Sequence, residues 1–157
     1  MSYQRGFSLV EVLVGAAIIV SSLVGLLTIF GNLAQLNVKN IQAAQAAFLL
    51  EQGAEVARYW RDQNWSNISG LTAATNYRAV YASNRWSTST TPTLIDGLFD
   101  RTIVATNVNR DSNQDIVTSG GTLDSETRLI TVTVAWRQDA ATTTKTLSLY
   151  LSNIFND

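Results

Sequence analysis

The 157-residue chain contains no cysteine and no histidine, and its single proline is Pro92. Without cysteine, a fold exported to an oxidising space must hold without disulfides. Without histidine, the commonest general base and metal ligand is missing, and Ser-His and Cys-His catalysis are excluded. Charge is sparse, 11 basic against 12 acidic residues for a net −1. Such a balance gives no bulk attraction to nucleic acid or to an anionic membrane, so no specific nucleic-acid binding is expected. At this length, one compact domain and one long helix is the natural organisation.

Against these absences stands one long apolar run. A short polar leader, residues 1–6, carries one basic residue, Arg5. From Phe7 to Phe30 the chain is then apolar, with Glu11 its only charge. As a helix, those 24 residues measure about 36 Å, enough for a hydrocarbon core of about 30 Å. Fifteen of them are Leu, Ile, Val or Phe, which favour insertion by about 7 kcal/mol, whereas one carboxylate costs at most about 3.5 kcal/mol. Insertion wins, but an ionisable group inside such a segment implies a function. A secretory signal core has 7–15 apolar residues and a small-x-small cut site. This run is longer, and no good site of that kind follows it.

The stretch Arg5-Gly6-Phe7-Ser8-Leu9-Val10-Glu11-Val12-Leu13 resembles the N-terminus of the type IV pilin-like family, pilins and pseudopilins alike. The shared pattern is a short basic leader ending in Gly, then Phe, then an apolar helix with Glu four residues on. The resemblance implies that a prepilin peptidase cuts between Gly6 and Phe7 and methylates the new amine of Phe7. It implies that Glu11 pairs with that amine on a neighbouring subunit and sets register; an unpaired buried carboxylate costs roughly 3–5 kcal/mol, which penalises the wrong stagger. The implied partners are the peptidase, other pilin or pseudopilin subunits, an inner-membrane assembly platform and membrane lipid. The implied location is the bacterial inner membrane as a single-pass protein, then a periplasmic or extracellular filament. Many relatives carry a proline in this helix, and this chain has none there. The segment from Leu49 to Trp65 also looks like one that recurs in minor-pilin-like members.

Beyond Phe30 helical spacing persists. Ala43, Ala47, Leu50, Ala54 and Ala57 form one stripe, with Ile41, Ala44 and Phe48 extending beside it. One helix is expected from about Ser8 to Asp62, its second half packing a domain on that stripe. Glu51, Glu55, Arg58 and Asp62 sit at spacings for surface ion pairs. The region 64–93 reads as loop-rich, with a short strand at Tyr77–Tyr81 and a surface loop over Ser83–Thr93. Trp65 and Trp86 flank it as covers for the core. Strands are expected at Arg101–Val108, Thr127–Trp136 and within Thr144–Ile154. In the second of these Ile130, Val132, Val134 and Trp136 share one face; in the third, Leu147, Leu149 and Leu151 do. Arg137–Thr143 reads as the hairpin loop between them.

The expected fold class is α+β, a long N-terminal helix packed against a small antiparallel sheet. The expected organisation is a leader (1–6), a membrane or filament-core half of the helix (7–30), an amphipathic half (31–65) and a sheet domain (66–157). Asp111, Asn113 and Asp115 have the D-x-N-x-D spacing of a calcium loop, but Ile116 and Thr122 stand where its Gly and distal Glu belong. Asp124 and Glu126 are candidate oxygen donors from farther along the chain. The preferred reading is an ordinary turn with no metal and no cofactor, and calcium on Asp111, Asn113 and Asp115 is the alternative. No motif gathers catalytic groups, and the resemblance implies a subunit of a pilus or pseudopilus filament and not an enzyme. The alternative is a single-span adhesin or binding module that never assembles.

Overall fold

The computed structural model describes residues 8–138 and 140–155. Those residues form two helices, α1 (Leu9–Gln63) and α2 (Ser66–Ser69), and six strands. The strands are β1 (Arg78–Ala82), β2 (Arg85–Ser89), β3 (Phe99–Arg110), β4 (Ile116–Val117), β5 (Thr122–Gln138) and β6 (Ala141–Ser152). The chain divides into two compact units, residues 1–42 and 43–157. The fold is α+β, a long N-terminal helix with antiparallel sheets, as the sequence leads one to expect.

In the second unit β4, β3, β5 and β6 form one antiparallel sheet in that order. Period-two alternation selects its inner face. Phe99, Arg101, Ile103 and Ala105 of β3 are buried, as are Ile130, Val132, Val134 and Trp136 of β5. Phe99 pairs with Trp136 and Ile103 with Val132. The helix brings Ala46, Leu50, Gly53, Ala54, Val56, Ala57 and Trp60 to this core. Its centre follows the 4-3-4-3 spacing of residues 46, 50, 53, 57 and 60, about one helical position away from the stripe read in the sequence. Leu50, Ala54 and Ala57 are buried as expected, Ala43 and Ala47 only half so.

Gly53 is the point of closest approach. A Cβ there would lie 2.6 Å from Val132 Cγ1 and 3.2 Å from Arg101 Cδ. Glycine is therefore retained in mid-helix, despite its cost of about 1 kcal/mol relative to Ala, because it lets helix and sheet touch.

Several expectations need correction. Ile41, Ala44 and Phe48 are exposed, because they point away from the face that carries Leu50 and Ala57. Leu147 is exposed as well, since β6 is the outermost strand and only Leu151 at its far end is buried. Within the expected Ser83–Thr93 loop, residues 85–89 form β2, paired with β1 from Arg78↔Ser89 to Ala82↔Arg85. Positive φ at Ser83 (51°) and Asn84 (60°) makes the two-residue turn that closes such a hairpin, and Asn tolerates this region. The Tyr81 and Trp86 rings, 5.2 Å apart, then hold the register as an aromatic cross-strand pair. The expected Arg137–Thr143 loop is shorter, because β5 and β6 pair as far as Gln138↔Ala141. Asn109 and Arg110 belong to β3 rather than to the following loop.

Candidate functional site in the N-terminal helix

The described residues of the first unit offer nothing for its apolar side chains to pack against. Leu13 is 62% exposed, Ile19 65% and Phe30 65%, and Val12, Leu23 and Leu27 are comparable. Between Glu11 and Lys39 no residue is charged, a stretch of about 40 Å as helix. A helix apolar on all sides is stable only where another apolar medium surrounds it. Among the described residues one helix, Leu9–Gln63, is long and apolar enough to cross a membrane.

Three hydroxyls interrupt the apolar surface, and each is satisfied within the helix. Ser21 Oγ donates to the Ala17 carbonyl at 2.5 Å, Ser22 Oγ to Ile18 at 2.8 Å and Thr28 Oγ1 to Val24 at 3.0 Å. In hydrocarbon an unsatisfied polar group costs several kcal/mol, so this back-bonding makes the three residues compatible with lipid. Gly15, Gly25 and Gly31 have nothing within 4 Å of where a Cβ would stand, so no contact among the described residues requires them.

Glu11 lies in the first turn of α1 and is exposed. Its backbone N–H donates to the Ser8 carbonyl at 3.0 Å, as does that of Val12 at 3.2 Å. An acidic side chain here faces the positive end of the helix dipole, worth about 0.3–1 kcal/mol. Gly6 and Phe7, the expected cleavage and methylation positions, lie outside the described residues.

Asp111, Asn113 and Asp115 meet in the turn after β3. Asp111 Oδ1 accepts the backbone N–H groups of Asn113 at 2.9 Å and Asp115 at 3.0 Å, so this carboxylate oxygen caps its own turn. The adjacent Arg110 donates from Nη1 to the Gln114 carbonyl at 2.7 Å and from Nε to Asp124 Oδ2 at 2.7 Å. A guanidinium thus supplies positive charge to this loop. Glu126 accepts from Asn153 Nδ2 at 2.8 Å. Among the described residues no group of three or more Asp, Glu, His or Cys could hold a metal ion.

Burial alone would raise the Asp124 carboxyl pKa, but hydrogen bonds from Arg110, Thr127 and the Glu126 N–H, with the Arg110 charge, hold it below the usual 3.8. This network stands where β5 leaves β3. Asn107 pairs with Arg128 but Val108 with Asp124, so residues 125–127 bulge out of the ladder.

Of the helix charges, Glu55 pairs with Arg58, and Asp62 with Arg61 at 2.8 Å. Both pairs are surface features of small energetic weight. Trp65 and Trp86 are half-buried against the core, as covers.

Sequence reasoning missed Arg101, which is 4% exposed. It donates from Nη1 to Gln52 Oε1 at 2.5 Å, and its guanidinium lies 5.8 Å from the Trp86 ring centroid. Burial lowers its pKa. The signal was available, because Arg101 shares the inner parity of Phe99, Ile103 and Ala105.

Residues 1–27 match the family model of the prokaryotic N-terminal methylation motif. No curated protein and no solved structure matches the chain.

Proposed function

We propose that this chain, which bears a type IV prepilin-like signal at its N-terminus, is a structural subunit of a type IV pilus or pseudopilus filament. In this reading it is made as an inner-membrane precursor, cut after Gly6 and methylated on Phe7 by a prepilin peptidase. It is then handed to an assembly platform and incorporated beside other pilin or pseudopilin subunits, in a periplasmic or extracellular filament. It is a substrate of that peptidase and not itself an enzyme.

One observation carries the reading. The methylation motif opens directly onto an uncharged helical stretch from Val12 to Val38 whose large apolar side chains are exposed. Lipid meets that need before assembly, and the apolar helices of other subunits meet it afterwards. Glu11 is then the only charged side chain moved into an apolar filament core. A methylated Phe7 amine on the neighbouring subunit neutralises it, and loss of either partner costs roughly 3–5 kcal/mol.

The test is intact-mass and N-terminal peptide analysis of protein from sheared filaments and from membranes. Filament protein should begin at N-methylated Phe7. A chain retaining Met1, or one processed and methylated but absent from filaments, would overturn the filament reading. The second outcome would favour a membrane-anchored binding module.

A further inference from the structure

The four-stranded sheet has one closed edge and one open edge. Along the outer side of β3, the Ala74 N–H donates to the Ala105 carbonyl at 3.0 Å, and Tyr77 and Ile103 exchange two hydrogen bonds of 2.9 and 2.7 Å. At the far end of β3, β4 pairs Asn109↔Val117 and Arg110↔Ile116. On the other side β6 pairs with β5 over all of Ala141–Ser152, and its outer side has no strand partner among the described residues. Natural edges are blunted by proline, bulges, shortness or charge. β6 is 12 residues long, unbroken in register, free of proline, and carries one charge, Lys145. Its second half, Thr146-Leu147-Ser148-Leu149-Tyr150-Leu151-Ser152, has the β-propensity and neutrality of segments that pair with their own copies.

We infer that β6 is a self-pairing edge whose partner is β6 of a second copy, antiparallel and centred on Ser148. The register follows from side-chain complementarity. Directly opposed residues of an antiparallel pair lie on the same face, and a twofold axis at Ser148 opposes Leu147 with Leu149, Thr146 with Tyr150, and Lys145 with Leu151. The first of these pairs continues the apolar inner face over Leu147, which is 38% exposed, and the second covers Tyr150, which is 51% exposed. The two Lys145 side chains stay apart, three residues from the axis on either side, so no like charges meet. In a filament of identically directed subunits, neighbours are related by a screw and not by a twofold. This contact therefore joins copies outside a single filament, between filaments or within the membrane pool. A paired strip about 9 residues long spans about 31 Å, one strand wide, less than the interface of a stable dimer. The pairing is accordingly weak in dilute solution and strong where copies are confined together. It does not depend on the filament reading, since the sheet alone provides it.

The chain has no native cysteine, so introduced ones report without interference. The experiment oxidises full-length chain in membranes, with Thr144, Thr146, Ser148 or Tyr150 changed singly to Cys, and reads disulfide-linked dimer on a non-reducing gel. Ser148→Cys should give the most dimer. Thr146→Cys alone and Tyr150→Cys alone should give little, because each is about 14 Å from its own copy along the strand, yet the two mixed should cross-link. All four side chains are exposed, so folding is little affected. Adding Ser148→Asp to the mixed pair places two carboxylates at the axis and should abolish the cross-link. No dimer at Ser148, a maximum elsewhere, or equal yield at every position would overturn the proposal.

Discussion

Replacing Gly53 by Ala tests how helix and sheet meet. In an ordinary helix the change stabilises by about 1 kcal/mol. Here the new Cβ would stand 2.6 Å from Val132 Cγ1, against the roughly 3.5–4.0 Å of a comfortable carbon contact. Val132 is fully buried and, being β-branched, has little freedom about χ1. Arg101 Cδ, at 3.2 Å, closes a second direction. Overpacking of this kind costs about 1–3 kcal/mol, so Gly53→Ala should be destabilising by about 1 kcal/mol net. For the 115-residue second unit that corresponds to a fall in Tm of about 4 °C. Val132→Ala alone should cost about 2–3 kcal/mol, from two lost methyls and the space they leave. With Val132→Ala in place, Gly53→Ala should change sign and stabilise, because the added methyl fills that space and the helix gains propensity. The coupling energy should be about 2 kcal/mol. Tryptophan fluorescence melts of the four variants in detergent measure it. A neutral or stabilising Gly53→Ala in the wild-type background, or additive effects, would refute the close approach as the reason for glycine here.

Glu11→Gln should leave membrane insertion and cleavage after Gly6 intact but sharply reduce sheared-filament content; wild-type incorporation would show that Glu11 does not set register. The Asp124 carboxyl is held below its usual pKa, so its contribution to stability is present above about pH 4 and is lost as pH falls through the lowered value. Acid titration of Asp124→Asn should therefore give a shallower acid limb than wild type, and identical limbs would contradict the role of Arg110. Asp111→Ala removes the acceptor of two backbone N–H groups in an exposed turn and should cost about 0.5–1.5 kcal/mol whether or not calcium is added. A calcium-dependent gain near 2.7 kcal/mol at about 100 times the dissociation constant, reversed by EDTA, would instead make Asp111, Asn113 and Asp115 ligands. Trp136→Ala should cost about 3–5 kcal/mol in melts. Trp136→Phe, which also drops an indole N–H that is buried without a partner among the described residues, should cost less than about 1.5 kcal/mol; equal losses would show that the N–H, not the ring volume, matters.

The residues alone determined what depends on local order along the chain. The apolar run and the position of Glu11 are sums and spacings in one dimension, and they mark an N-terminal helix that seeks an apolar medium. Strand β5 was legible for a similar reason, since Ile130, Val132, Val134 and Trp136 alternate with polar residues strictly enough to fix which face is buried. Tertiary structure decided whatever depends on which surfaces meet. The stripe of α1 read as Ala43, Ala47, Leu50, Ala54 and Ala57, of which the first two are only half-buried, because alanine fits a buried or an exposed face equally well. Only docking against Val132 and Arg101 showed that the seam runs through Ala46, Gly53 and Trp60. β2 was hidden because Ser and Thr mark loops by composition, and a two-residue turn at Ser83 and Asn84 with a ring pair across it outweighed that preference. Arg101 is buried through its neighbours' choices as much as its own. A long cation can lie under a helix only where a glycine makes room, a glutamine accepts its head and an indole covers it; Gln52 and Gly53 of α1 and Trp86 of β2 are far from Arg101 in sequence, and folding alone brings them to it.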